Sequence, residues 1–245
     1  MKRVICKTYD EMSQMGAYLF AEQIWRKRDS VLGFATGGTP EGMYRCLVKM
    51  HRDGLVNFSR VTTFNLDEYY RIRKDDPQSY DYFMRKHLFS HINAREENIH
   101  LLNGDADDPE RECDNYERLL EDAGGADIQL LGIGGNGHIA FNEPDGGLHA
   151  RTHVADLTGD TIEANARYFD NPGDVPRRSL TMGIGSIMSA RRLLMLISGE
   201  NKARAVKEMF SGWISTRNPA SLLQLHPDAV VILDEPAASM LTPNA

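Results

Sequence analysis

The chain has 245 residues, 41% of them hydrophobic and 26% charged, and a formal net charge of −7. That length buries a substantial core in one domain or at most two, and the composition is ordinary for a globular protein. The acidic balance argues against a general nucleic-acid binder, which needs a basic surplus, but leaves room for a local basic pocket around one small anion.

Residues 1–7 are basic without an apolar stretch behind them, and no apolar run approaches the roughly 18 residues of a membrane helix. A cytoplasmic protein with no membrane partner is expected. Cys6, Cys46 and Cys113 are odd in number and widely spaced, which disfavours a disulfide framework or structural zinc site. Cys6 falls in a short predicted strand, 4–6, and reads as a small core residue.

Residues 10–26 have helical spacing, with Met12, Met15, Leu19 and Ile24 toward one face. A buried strand, 31–35, ends in Thr36-Gly37-Gly38-Thr39-Pro40-Glu41 before a second helical pattern. Pro40 suits the first turn of that helix and Thr39 its N-cap. Strand, Thr/Gly turn and helix start together make an anion site, because backbone N–H groups and the positive helix end point at the ligand. A Walker A loop is excluded by the spacing. The same residues also suit a tight turn that needs glycine for geometry alone.

The strand 61–66 is rich in β-branched and aromatic residues and delivers Asp67-Glu68-Tyr69-Tyr70 at its carboxyl end, where ligands collect in parallel sheets. Asp67 suits a general base with Glu68 as its neighbour; a pair of exposed acids opening a loop fits equally. Helices follow at 79–88, with Ser79 capping and Tyr82, Phe83 and Leu88 inward, and at 109–121. The intervening 103–108 looks like a calcium loop but lacks the closing glutamate, and reads as a polar loop.

The apolar run 128–133 is a buried strand that opens into Gly134-Gly135-Asn136-Gly137-His138, with Glu143 and Pro144 beyond. Four glycines in six residues turn the backbone sharply beside a histidine and a carboxylate. A solvated His and Glu on a glycine turn is the plain alternative. Gly132, Gly134 and Gly137 also satisfy G-x-G-x-x-G, with Asp156 downstream. Dinucleotide binding is disfavoured, since Pro144 and Gly146-Gly147 interrupt the helix that motif requires.

Further on, 152–157 reads as a strand and 163–168 as a helix carrying Arg167. Residues 180–188 contain a Gly-Ile-Gly turn. A strand at 192–197 ends in Ser198-Gly199-Glu200-Asn201-Lys202, and Lys202 opens a helix to about 210. A lysine is slightly unfavourable at a helix start, which points to a function, although a solvated lysine is the default. Residues 220–225 read as helical and 230–233 as a last strand. Alternating strands and helices without linker or repeat predict an α/β fold: a single-domain, Rossmann-like sandwich with a largely parallel central sheet flanked by helices. The segment 144–176, rich in Gly, Pro and Asp, is the expected mobile cover.

In this order, Thr36-Gly37-Gly38-Thr39-Pro40, Phe64-Asn65-Leu66-Asp67-Glu68-Tyr69, 137–144, Ala164-Asn165-Ala166-Arg167, 198–202 and 222–227 resemble the glucosamine-6-phosphate deaminase family across nearly the whole chain. The resemblance implies conversion of glucosamine 6-phosphate and water to fructose 6-phosphate and ammonium, without metal or redox cofactor. By it, Asp67 moves a proton between C2 and C1 of the open-chain sugar. His138 opens the pyranose ring with Glu143 tuning its imidazole, and Asn136 stands where some members have Asp. Thr36, Gly37, Gly38, Thr39, Arg167 and Lys202 look like the phosphate clamp. The partner is a small sugar phosphate, with a homo-oligomer left open. His153, Ala155 and Asp156 stand where activated members are basic, and the chain stops soon after 233–236. No activation by N-acetylglucosamine 6-phosphate is therefore expected. A galactosamine-6-phosphate deaminase, a 6-phosphogluconolactonase and a silent sugar-phosphate sensor are the competing readings.

Overall fold

The computed structural model describes residues 1–166, 169 and 171–242. The chain begins with β1 (Lys2–Cys6), α1 (Tyr9–Arg26), β2 (Val31–Phe34), α2 (Glu41–Arg52) and β3 (Thr62–Asn65). It continues through β4 (Asp67–Tyr69), α3 (Tyr80–His87), β5 (Ile99–His100), α4 (Pro109–Asp122) and β6 (Ile128–Leu131). The later elements are β7 (His153–Asp156), α5 (Gly159–Ala166), β8 (Arg178–Thr181), α6 (Ile184–Met188) and β9 (Leu193–Ile197). They close with α7 (Ala203–Met209), β10 (Ala229–Asp234) and α8 (Glu235–Ala238).

Seven strands form one sheet in the order β1-β10-β9-β6-β2-β3-β5, parallel throughout. The strands β2, β6 and β9 are buried along their whole length. Helices bury both of their faces, so their sequences read as unbroken apolar runs. The chain runs from β2 outward through β3 to β5, then returns to β6 and runs the other way through β9 and β10. The loops leaving β2 and β6 therefore diverge, which makes the carboxyl ends of these two neighbours the topological switch point where ligands collect in open α/β sheets.

A second sheet, β4-β8-β7, is antiparallel. It rules out the alternative that Asp67 and Glu68 are exposed acids opening a loop: both are buried in a strand whose partner is more than a hundred residues away. Only Leu66 separates β3 from β4. Its N–H donates to Phe34 O at 3.1 Å and its carbonyl accepts Met182 N–H at 2.7 Å, so it stitches the two sheets together.

Other expectations shift by smaller amounts. Pro40, not Thr39, is the N-cap of α2; its carbonyl accepts Tyr44 N–H at 3.0 Å, and proline has no side-chain acceptor to cap with. Tyr82 and Met15 point outward while Met84, Gly16 and Phe20 turn in, because the buried stripes lie a fraction of a turn from the predicted ones. The helix at 163–168 starts earlier, at Gly159. The Gly-Ile-Gly stretch opens α6 rather than forming a bare turn. Residues Pro219–Leu225 form a 3-10 helix.

Candidate active site

The predicted site residues gather on one edge of the large sheet. Four adjacent parallel strands, β9, β6, β2 and β3, end there, delivering Lys202, His138, the 36–39 loop and Asp67. Arg167 lies outside the described residues.

Asp67 is 7% exposed. Burial, and then the charge of adjacent Glu68, push its carboxyl up to about 8. Two buried tyrosines, Tyr44 and Tyr116, and the half-buried Tyr80 feel its charge, and burial raises their hydroxyls first. Glu68 has a different task. It accepts the N–H groups of Tyr69, Tyr80 and Asp81 at 2.8, 2.9 and 3.0 Å, holding the start of α3. Burial raises its pKa, and those three donors oppose the rise.

The histidine loop is a set of short closures. Gly137 N–H donates to Gly134 O at 3.0 Å, and Gly134 N–H donates to His138 O at 2.9 Å. The imidazole folds back over Gly134, where a Cβ would fall 2.3 Å from the ring. Gly137 takes a φ of +90°, a conformation that glycine adopts without cost. Beyond the histidine, Phe141 N–H donates to Thr181 Oγ1 at 3.1 Å, and Thr181 is the register partner of Asp67. The strand β8 thus ties the histidine loop to the buried aspartate.

Nδ1 of His138 stands 3.3 Å from Glu143 Oε2. This is ion-pair range, but poorly aligned, and the buried nitrogen makes no hydrogen bond among the described residues. Better-aligned bonds come from elsewhere: Asn136 Nδ2 donates to Glu143 Oε2 at 2.8 Å, and Thr161 Oγ1 of α5 donates to Oε1. Burial pushes the Glu143 carboxyl up, but His138, Thr161 and Asn136 outweigh it and hold the group at about 2. Glu143 is an ionised, fixed acceptor.

At the anion end, the Tyr9 hydroxyl accepts Gly42 N–H at 2.7 Å and donates to Gly38 O at 3.1 Å, pinning the 36–39 loop to α1. Lys202 is the N-cap of α7. The turn before it is fixed by Asp234, which accepts Ser198 Oγ at 2.5 Å and Gly199 N–H at 3.1 Å. Asp234 was not legible as a site residue, because its partners lie about 35 positions earlier. Thr161 was missed for the same kind of reason.

A cleft of about 500 Å³ lies over His138, Asn136, Pro144 and Thr161 and is bounded opposite by Arg204, Glu208 and Arg217. Arg204 is paired with Glu208 at 3.2 Å. Neither Asp67 nor the 36–39 loop lines this cleft. Among the described residues, no three His, Cys, Asp or Glu side chains are grouped as metal ligands, and no helix is long and apolar enough to cross a membrane.

Residues 8–232 match the family described as glucosamine-6-phosphate isomerases/6-phosphogluconolactonase. A glucosamine-6-phosphate deaminase of Clostridioides difficile is 54% identical over 244 residues, covering 100% of this chain and 98% of the relative. One from Halothermothrix orenii is 52% identical over 241 residues, covering 98% and 100%. The solved structure of a monomeric glucosamine-6-phosphate deaminase superposes with a TM-score of 0.96 at 50% identity, over 98% of this chain and 100% of that one. The 6-phosphogluconolactonase of Trypanosoma cruzi, at 20% identity and a TM-score of 0.77, shares the fold. With relatives about half identical along their full lengths, the chain belongs to the glucosamine-6-phosphate isomerase/6-phosphogluconolactonase family.

Proposed function

We propose that the chain is a glucosamine-6-phosphate deaminase, converting glucosamine 6-phosphate and water to fructose 6-phosphate and ammonium. The observation that carries this reading is the presence of two separate acid–base units on one sheet edge, in a chain about half identical to named deaminases. Ring opening takes the proton from the anomeric hydroxyl and returns one to the ring oxygen, the work of a histidine held by a carboxylate. His138 beside Glu143 suits it. Isomerisation then moves a proton from C2 to C1, which needs an independent base, and Asp67 suits that. Hydrolysis of a lactone requires no such shuttle.

The raised pKa of Asp67 fits the chemistry, since a weakly acidic carboxyl is a stronger base once ionised. The substrate's own C2 ammonium favours the ionised form as it binds. The 36–39 loop and Lys202, together with Arg167, hold the phosphate and orient C1 and C2 from a distance. A phosphorylated sugar, which does not cross membranes unaided, fits a cytoplasmic enzyme.

Ammonium release from glucosamine 6-phosphate, measured beside galactosamine 6-phosphate, tests the proposal. Equal amounts of ammonium and fructose 6-phosphate support it. Release from the galacto epimer alone moves the substrate, and silence with both sugars removes the reading.

A further inference from the structure

Asn218 is buried between two parts of the site. On one side its amide lies against Gly137, where a Cβ would meet Asn218 Cγ and Oδ1 at 2.6 Å. On the other, Nδ2 donates to Ala205 O in α7 at 3.1 Å. Two residues on, Ala220 N–H donates to Gly137 O at 2.9 Å. The residue before His138 is thus gripped by a side chain and by the backbone of the same loop.

The amide orientation is forced, because turning it over would set Oδ1 against the Ala205 carbonyl. In that orientation Oδ1 has no hydrogen-bond partner among the described residues. A buried orphan acceptor costs stability, so its retention calls for a reason other than stability. The loop around it is braced. Asn218 N–H donates to Ser215 O at 3.0 Å, and Thr216 Oγ1 donates to Asp145 O at 2.6 Å, near the far end of the histidine loop.

We infer that Asn218 is a positioning residue for the ring-opening histidine: held to α7 through Ala205 O, it sets the Gly137 turn from which His138 projects. A flat, short side chain with one donor meets both demands. Leucine would fill the space but give up the bond to Ala205 O, and aspartate would set charge against that carbonyl. The inference rests on the deaminase reading.

A double-mutant cycle tests it. Asn218→Ala is made in the wild-type chain and in His138→Ala, and ammonium release, thermal unfolding and affinity for a hexitol 6-phosphate, which has no ring to open, are measured. Asn218→Ala is expected to lower kcat by about 10- to 100-fold in the wild-type chain, as a small misplacement of a reacting group does. In His138→Ala it should change kcat by less than about twofold, within ordinary additivity. Hexitol phosphate affinity should not move in either. The same loss in both backgrounds would assign Asn218 a general structural role and overturn the inference, as would an unchanged kcat. Asn218→Ser is carried through the same cycle and decides the matter where the alanine chain does not fold. A wild-type chain that releases no ammonium defeats the deaminase reading first, before any variant is compared.

Discussion

The side-chain nitrogen of Asn136 donates to Glu143 at 2.8 Å while its oxygen accepts the backbone N–H of His138 at 3.1 Å, so one amide fastens both members of the acid–base pair. An aspartate can make the second bond but not the first. Asn136→Asp would set two carboxylates against each other, and one of them must titrate higher. Glu143, held at about 2, contributes no ionisation to the wild-type profile between pH 4 and 8. The variant is expected to gain a step there, with kcat/KM falling as pH is lowered through it. Superimposable profiles would mean that the amide does not govern Glu143.

Asp67→Asn should lose about 10²- to 10⁴-fold in kcat, the usual contribution of a positioned base. The same substitution should stabilise the fold at alkaline pH. Folded Asp67 keeps its proton until about 8, whereas an unperturbed aspartate releases it near 3.8. The stability linked to that proton is complete below the lower value and lost as pH rises through the upper one. Asparagine removes the loss, so the variant's advantage should grow from pH 5 to pH 9 and reach about 1–2 kcal/mol. Thermal unfolding of both chains across that range checks it; a pH-independent difference would refute the buried-carboxyl account.

In the wild-type chain kcat/KM should climb as pH rises toward about 8, because only ionised Asp67 can take the C2 proton. The limb should be absent from whatever residual activity Asp67→Asn retains. A rising limb unchanged by that substitution would assign it to another group.

Gly134→Ala places a methyl 2.3 Å from the His138 ring, while the backbone there needs no special conformation. The ring must move, and about 100-fold in kcat should go with it. Affinity for a hexitol 6-phosphate should hold, since the phosphate loop lies on another strand. Near-normal turnover would show that the ring position seen here is not the working one.

Asp234→Ala frees the Ser198-Gly199 turn before Lys202 and should act on binding. KM is expected to rise about tenfold or more with kcat less affected, together with a loss of about 1–3 kcal/mol in stability from donors left unpaired. A fall in kcat with constant KM would place the turn nearer the chemistry than the phosphate.

What the sequence disclosed follows from how far each feature reaches. Strands buried on both faces declare themselves as short apolar runs, and β2, β6 and β9 do so without help from the rest of the chain. The histidine loop was legible because its glycines, His138 and Glu143 are neighbours. The strand character of Asp67–Tyr69 was not: three residues carry no usable periodicity, and their order comes from pairing with Arg178–Thr181. Thr161, Asp234 and Asn218 take their roles from partners more than a dozen residues away. The outward turn of Tyr82 reflects packing that helical spacing alone leaves unresolved.

Leu66, bonded to one sheet through its N–H and to the other through its carbonyl, is the seam between them. Thr152 and Ser186 fasten the β7–β8 side of the small sheet to Glu117 of α4, so that sheet is anchored at a second point. Asp67, the next residue after the seam, takes its place from both sheets at once, whereas His138 and Glu143 are carried on a loop.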